Sequence, residues 1–148
     1  MARRFGLLLA AMFAGGFPMA ASAIEYRSVD APTVLYDAPS QKGKALFVIR
    51  RFTPVELVVN LEGWSKVRDA EGGLAWIEKK YLVDRRTLQV SAERAQIRRE
   101  ADDSAPLVFE AEKGVALEFV ELAAAGSAKV RHRDGQSGFV RANQIWGL

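Results

Sequence analysis

Hydrophobic side chains recur at every second position over short stretches of this chain, and turn-forming residues separate the stretches. Val67 lies between Lys66 and Arg68, and Leu57 and Val59 are two positions apart. Successive side chains of a β-strand point to opposite faces, so this alternation is typical of a strand with one buried face. The pattern therefore predicts an all-β fold.

Five such stretches fall in the first half of the chain and predict one small barrel. The predicted strands are 33–36, 46–50, 54–60, 64–69 and 74–78. The segment Asp-Ala-Glu-Gly-Gly at 69–73 predicts a hairpin loop, because glycine adopts the positive φ that tight connections need.

The same plan returns in the second half with a period of about 62 to 63 residues, the size of a very small β unit. Lys-Val-Arg at 66–68 returns at 129–131, and the apolar segment 73–77 returns at 138–140. The repeat predicts further strands at 88–90, 95–98, 107–109, 117–122, 128–132 and 138–141.

The segment 107–122 is rich in Ala, Glu and Leu, which favour a helix, but its match to the first repeat decides for strands. We therefore expect two five-stranded barrels in tandem, at residues 24–84 and 85–148. A unit of 60 residues buries about 60% of its unfolded surface and is marginally stable alone, so the two units should touch.

Residues 1–23 have the features of a cleaved signal peptide. Arg3 and Arg4 precede an apolar run over 5–17, and the segment ends in Ala-Ser-Ala at 21–23. We expect export across the inner membrane, a periplasmic location, and no stable membrane insertion after cleavage, since no second hydrophobic stretch follows. An uncleaved anchor is the alternative, although the run is shorter than the roughly 20 residues of a comfortable span.

Removal of the leader lowers the net charge from +3 to +1, with 19 basic and 18 acidic side chains remaining. A nucleic-acid-binding protein would carry a dense basic stripe, so we expect no nucleic-acid partner. The chain has no cysteine, so each unit must be held by its apolar core rather than by a disulfide.

The residues needed for catalysis are sparse, and we predict no enzyme activity, no cofactor and no metal site. The single histidine, His132, lies between Arg131 and Arg133, which disfavour its protonation and metal binding alike. The adjacent acids Asp102 and Asp103 lie in a loop where turn hydrogen bonds are their expected role. A glycoside hydrolase, which needs two acids across a sugar cleft, is kept as a third hypothesis.

Trp64 is the strongest candidate for ligand contact. It has the same strand parity as Lys66 and Arg68, so it should point away from the core that holds Val67. The alternative is that Trp64 covers a hydrophobic edge. Trp76 lies in a run that is apolar on both faces, which predicts an interdomain core residue, and Trp146 is expected to close the second barrel.

Residues 33–82 resemble a bacterial SH3 domain, and residues 91–146 resemble a second, more diverged one. The resemblance rests on segments that agree in order and spacing. These are Val-Leu-Tyr-Asp-Ala-Pro-Ser at 34–40, Pro-Val-Glu-Leu at 54–57, Gly-Trp-Ser-Lys-Val-Arg at 63–68, Ala-Trp-Ile at 75–77, and Tyr-Leu at 81–82. In the second unit Ile-Arg at 97–98 and the segments 129–131 and 138–140 match, while Ser127 stands where Trp64 would be.

The resemblance implies an extracytoplasmic binding module that contacts peptidoglycan or its stem peptides. It also implies that Tyr36 and Tyr81 join Trp64 in an aromatic groove, as in the eukaryotic SH3 domains that bind proline-rich peptides. Ala38 and Glu78 replace an aromatic and a proline of that groove, so recognition of a proline-rich helix is not expected, and the expected ligand is a wall peptide or glycan, or an envelope protein. The alternative function is a scaffold of an envelope protein assembly, with no small ligand and no dependence on Trp64.

Overall fold

The computed structural model describes residues 22–124 and 126–148, which form two seven-stranded antiparallel sheets, one after the other along the chain. The predicted all-β fold with two tandem units is confirmed. The predicted signal peptide lies outside the described residues, except for its last two positions. Within the described residues, none of the helices has the length and apolar character needed to cross a membrane.

The first module contains strands β1 to β7, in the spatial order β3-β2-β6-β5-β4-β1-β7. Their bounds are Tyr26–Val29 (β1), Thr33–Tyr36 (β2), Ala45–Ile49 (β3), Pro54–Asn60 (β4), Trp64–Arg68 (β5), Leu74–Glu78 (β6) and Leu82–Val83 (β7). A 3₁₀ turn at Lys79–Tyr81 joins the last two strands.

The second module contains strands β8 to β14 in the equivalent order, β10-β9-β13-β12-β11-β8-β14. Their bounds are Thr87–Val90 (β8), Arg94–Arg98 (β9), Leu107–Glu112 (β10), Ala116–Ala123 (β11), Ser127–Arg131 (β12), Ser137–Arg141 (β13) and Ile145–Trp146 (β14). A 3₁₀ turn at Ala142–Gln144 again precedes the last strand.

Each module has its own hydrophobic core, and side chains that alternate along the strands fill it. The core of the first module contains Val29, Leu35, Ile49, Val55, Val67, Ala75 and Ile77. The core of the second contains Leu88, Val90, Ala95, Ile97, Ala111, Leu117, Ala128, Val130, Val140 and Ile145. The repeat in the sequence therefore corresponds to two units, each built around its own core.

The hairpin predicted at 69–73 is present, and an equivalent hairpin joins β12 to β13 in the second module. In the first module the Asp69 carboxylate accepts hydrogen bonds from the amides of Glu71 (3.1 Å) and Gly73 (2.7 Å), and Gly72 has a φ of +87°. In the second module the Asp134 carboxylate accepts the amide of Gln136 at 2.9 Å. Acidic side chains at the start of each turn therefore satisfy amides that the sheet ladder leaves free.

The sequence pattern missed strand β1, because a polar residue occupies one of its buried positions. Ser28 is fully buried, and its hydroxyl donates a hydrogen bond to the carbonyl oxygen of Arg85 at 2.6 Å. That bond offsets the cost of burying the hydroxyl, so the strand tolerates a residue that alternation assigns to the surface.

The two modules are in direct contact at the junction between β7 and β8. The buried hydroxyl of Thr87 donates to the carbonyl oxygen of Phe52 at 2.7 Å, which ties the second module to the turn between β3 and β4. Arg86 donates through Nη2 to the carbonyl oxygen of Gly147 at 2.7 Å, and its guanidinium carbon lies 5.4 Å from the ring centroids of both Tyr26 and Phe119. The short connection is thus part of a packed interface.

Candidate functional site

Two aromatic rings meet on the outer surface of the first module. Tyr36 and Trp64 pack edge to face, with their ring centroids 5.7 Å apart and an angle of 81° between the planes. Ser65 and Val67 are buried on the inner face of β5, so Trp64 points outward, as its strand parity predicted. Sequence reasoning selected both residues, and the fold brings them together.

Trp76 belongs to the same outer surface. In the sheet ladder it is directly opposite Lys66 on β5 and Tyr36 on β2, and residues opposite each other in an antiparallel pair project from the same face. We define Tyr36, Trp64 and Trp76 as the aromatic face. All three residues are half-buried.

The placement of Trp76 corrects the expectation that it is buried on both sides in an interdomain core. The residues that fill the core from β6 are its neighbours Ala75 and Ile77, and Leu74 is 46% exposed. The signal that could have found this is the polar residue Glu78, two positions away and therefore on the same face. The run 74–77 is apolar on both faces because its outer residues line a surface, not because it is doubly buried.

The charges beside the aromatic face are mixed. Glu78 lies opposite Trp64 in the ladder, and its carboxylate accepts a hydrogen bond from Gln41 at 2.9 Å. Lys80 lies 3.4 Å from the other carboxylate oxygen of Glu78, and this contact raises the pKa of the lysine above its usual value. The surface therefore offers apolar rings together with amide, carboxylate and ammonium groups, a combination suited to a peptide or a sugar.

Tyr81, the third candidate ligand residue, has a different environment. Its ring packs against the core of the first module, and the Lys80 ammonium lies 5.1 Å from the ring centroid. Its carbonyl oxygen accepts the amide of Asp30 at 3.0 Å. These contacts describe a residue that fixes the 3₁₀ turn after β6. The described aromatic contacts do not include one between Tyr81 and Trp64.

Trp146 lies at the junction between the modules. Its ring packs edge to face against Tyr26 of the first module, with centroids 5.3 Å apart. Burial raises the pKa of the Tyr26 phenol, which is consistent with a partly desolvated contact. Trp146 belongs to β14, which pairs with β8 at the edge of the second sheet, and its ring contacts the first module at the same time.

The two adjacent acids Asp102 and Asp103 are engaged in a turn and an ion pair. The Asp102 carboxylate accepts the amide and the hydroxyl of Ser104, at 2.9 and 3.0 Å, and these bonds lower its pKa. Asp103 forms an ion pair with Arg141. Over residues 22–124 and 126–148 there is no group of three His, Asp or Glu side chains that could hold a metal ion.

His132 lies in the turn after β12, one residue beyond the strand in which sequence reasoning placed it. Its Nδ1 atom is 3.1 Å from an oxygen of Asp134, and its ring centroid is 5.7 Å from that of Phe109. Both neighbours belong to the second module, far along the chain from the aromatic face.

The equivalent surface of the second module is polar. The ladder places Phe139 opposite Lys129 and Arg98, as Trp76 lies opposite Lys66 and Tyr36 in the first module. Ser127 is in the position of Trp64. Arginine and serine thus replace two of the three aromatic residues, and the aromatic face is a property of the first module.

A family model for the bacterial SH3 domain matches the chain twice, at residues 29–84 and 91–147. This chain belongs to the bacterial SH3 domain family. Each match covers most of one sheet, the first from the end of β1 and the second from the residue after β8, and the first contains the whole aromatic face. In this tandem bacterial SH3 protein, the resemblance stated from the sequence is confirmed.

Solved structures similar to this bacterial SH3 protein include NlpC2 and NlpC1 from Trichomonas vaginalis and an NlpC/P60 family protein from Bacillus cereus. Their identities are 13%, 14% and 15%, with TM-scores of 0.36, 0.36 and 0.39. The matches cover 83%, 94% and 82% of this chain and 48%, 50% and 55% of the respective structures. The chain thus spans about half the length of each, and no curated protein matches it.

Proposed function

We propose that this protein is a cell-wall-associated binding module whose aromatic face contacts peptidoglycan, through its stem peptides or its glycan. The observation that carries the proposal is the outward pair Tyr36 and Trp64, with Trp76 beside it on the neighbouring strand. Half-buried aromatic rings on a rigid sheet supply contact area with little loss of conformational entropy on binding. The membership of the bacterial SH3 family supports a binding role.

The proposal includes export. The basic, apolar and small-residue segments of 1–23 support a signal peptide, and a wall ligand requires a location outside the inner membrane. The proposed location on this basis is the periplasm. Cell fractionation with an antibody against the protein, together with sequencing of its N-terminus, tests both the location and the cleavage after Ala23.

The aromatic face is suited to binding an extended ligand rather than to catalysing a reaction. Lys66 and Glu78 lie on the same face as the three rings. Among the described contacts, neither of these two charged side chains is paired with a nucleophile. The proposed role is therefore binding alone. Intact muropeptides after prolonged incubation with the protein are the expected result, and cleaved products would establish the hydrolase hypothesis instead.

Co-sedimentation with purified peptidoglycan sacculi tests the proposed ligand. We expect saturable binding by the wild-type protein and a loss of about tenfold or more in Trp64→Ala, because a tryptophan at the centre of an interface often contributes about 2 kcal/mol or more. Phe139→Ala is the matched control, since it truncates an outward aromatic at the equivalent surface of the second module. Equal binding by all three proteins would exclude the aromatic face as the contact.

A scaffold role is the second candidate, and a specific surface favours it. The edge strand β3 exposes three consecutive apolar side chains, Leu46 (43%), Phe47 (43%) and Val48 (63%). An exposed apolar edge strand is a site at which another protein can add a strand. In that case binding to an envelope protein would be lost in Val48→Lys and kept in Trp64→Ala.

A further inference from the structure

A cleft of about 460 Å³ lies between the two modules, away from the aromatic face. The first module contributes the turn between β3 and β4, which includes Arg50, Arg51 and Phe52. The second contributes the start of β11, the last residue of β12, Arg131, and the turn that follows it, which includes Arg133. A cleft of this size between domains is a common location for a small ligand.

The lining of the cleft is strongly basic, although the chain as a whole is not. Five arginines line it, namely Arg50, Arg51, Arg85, Arg131 and Arg133, against one acidic residue, Glu118. This gives the lining a net charge of +4, whereas residues 22–148 together carry 19 basic and 18 acidic side chains. The positive charge of the protein is therefore concentrated in the cleft.

Most of these guanidinium groups have no carboxylate partner in the part of the chain that the structure describes. Arg85 lies 3.5 Å from Glu118, so one cation and the one lining anion neutralise each other. The ion pairs within 4.0 Å among residues 22–124 and 126–148 include none of Arg50, Arg51, Arg131 and Arg133. Mutual repulsion of like charges is a cost that a bound anion would remove.

The backbone at the cleft is strained where it presents two of the arginines. Phe52 has a φ of +68°, a conformation that non-glycine residues rarely adopt. The turn is held by the bond from Thr87 to the Phe52 carbonyl, and the Arg51 and Arg85 guanidinium carbons lie 4.6 and 5.6 Å from the Phe52 ring centroid. Such conformations cluster at ligand sites, where the surrounding structure maintains them.

We propose that this cleft binds a phosphate-bearing ligand with two or more negative charges. Guanidinium groups donate hydrogen bonds in a fixed planar fork that matches phosphate and carboxylate oxygens. Here the unpaired groups come from the turn between β3 and β4 in the first module, and from the end of β12 and the turn after it in the second, so they can approach one anion from different sides. A phosphate group, with three acceptor oxygens around one centre, accepts donors from several directions, whereas a carboxylate offers two oxygens in one plane.

Calorimetric titration of the purified protein with inorganic pyrophosphate tests the proposal. We expect saturable binding that weakens as salt is added, because the contacts are charge-assisted. The variant Arg50→Gln/Arg133→Gln removes one unpaired guanidinium from each module and should weaken binding by about tenfold or more. Both side chains are exposed, so folding should be unaffected. The proton–nitrogen NMR spectrum of the backbone amides of the variant checks this.

The matched control is Lys42→Gln/Arg99→Gln, which removes the same charge from exposed positions outside the cleft, again one per module. It should bind pyrophosphate as the wild type does. A titration with glycerol 3-phosphate distinguishes the two sources of a phosphate group. Tighter binding per charge than that of pyrophosphate would identify an organic phosphate as the ligand, and weaker binding would identify a free inorganic ion. Absence of saturable binding, an equal loss in both double variants, or tighter binding of citrate than of pyrophosphate would overturn the proposal.

Discussion

At the scale of the residue, the outward position of Trp64 follows from strand parity alone. A polar residue two positions away indicates that a large aromatic lies on the outer face of its strand, as Lys66 does for Trp64 and Glu78 does for Trp76. Tyr26 and Trp146 illustrate what parity cannot provide. Their contact joins residues from opposite ends of the described chain, and no local pattern contains that information.

Gly138 is a residue whose small size the fold requires. A Cβ atom at this position would lie 2.6 Å from the carbonyl oxygen of Arg98 and 2.7 Å from a methyl of Ile97. Because the nearer atom is backbone, relief requires strand β9 to move. We expect Gly138→Ala to lower the free energy of unfolding by about 1 to 3 kcal/mol, as overpacking does elsewhere, measured by urea denaturation.

The adjacent Ser137→Ala is the control for this substitution. Ser137 is exposed on the same strand, so its truncation should change the free energy of unfolding by less than about 0.5 kcal/mol. Equal free energies of unfolding for the two alanine variants would contradict the close approach of β13 to β9 at Gly138.

At the scale of the element, the sequence predicts most of the strands because alternation and turn residues are local signals. Strands β2, β4 and β6 have the predicted bounds, and the other predicted strands differ by a few residues at their ends. The missed elements are β1, which buries the polar Ser28, and the two-residue strands β7 and β14. Two residues are too few to show a period, so only tertiary pairing defines such strands.

The hairpin between β12 and β13 has a measurable electrostatic signature. Hydrogen bonds from the backbone amide of Gln136 and then its side chain, with a smaller contribution from His132, lower the pKa of Asp134 from 3.8 to about 2. The folded-state pKa is below the unfolded value, so the turn's stabilising contribution is complete above pH 3.8 and is lost as the pH falls through about 2. Carbon NMR of the Asp134 carboxyl should record this titration.

Gln136→Ala separates the two donors in that turn. The substitution removes the side-chain amide and keeps the backbone amide, so the pKa of Asp134 should rise part of the way toward 3.8. A wild-type carboxyl that titrates at 3.8, as in an unstructured peptide, would contradict the turn geometry.

At the scale of the whole molecule, the two modules are joined by buried polar and aromatic contacts. Ser28, Thr87 and Arg86 each donate a hydrogen bond across the junction or to the segment that connects the modules, and the rings of Tyr26 and Trp146 meet there. The repeat in the sequence predicted that the modules touch, because each is small. It could not predict the basic cleft, since the arginines of the cleft come from segments of both modules that are distant along the chain.

The junction should make the two modules unfold together. We expect one thermal transition for the wild-type protein and two separated transitions for Trp146→Ala, which loses its contact with Tyr26. The expected loss is about 1 to 3 kcal/mol, less than for a fully buried aromatic, because Trp146 is half-buried. Differential scanning calorimetry measures both quantities.

Trp76→Ala is the matched control, since it truncates the same residue type on the outer surface of the first module. It should keep the single transition. An unchanged single transition in Trp146→Ala would mean that the aromatic contact does not hold the modules together.

The three tryptophans allow the most direct test of the proposed binding surface. Each contributes one indole N–H signal, and they divide into two on the aromatic face, Trp64 and Trp76, and one at the junction, Trp146. The measurement is a titration of the labelled protein with soluble muropeptides, followed in the proton–nitrogen spectrum. We predict saturable shifts of the Trp64 and Trp76 signals with Trp146 unchanged. Shifts confined to Trp146, or no shifts of the first two, would contradict wall binding through the aromatic face.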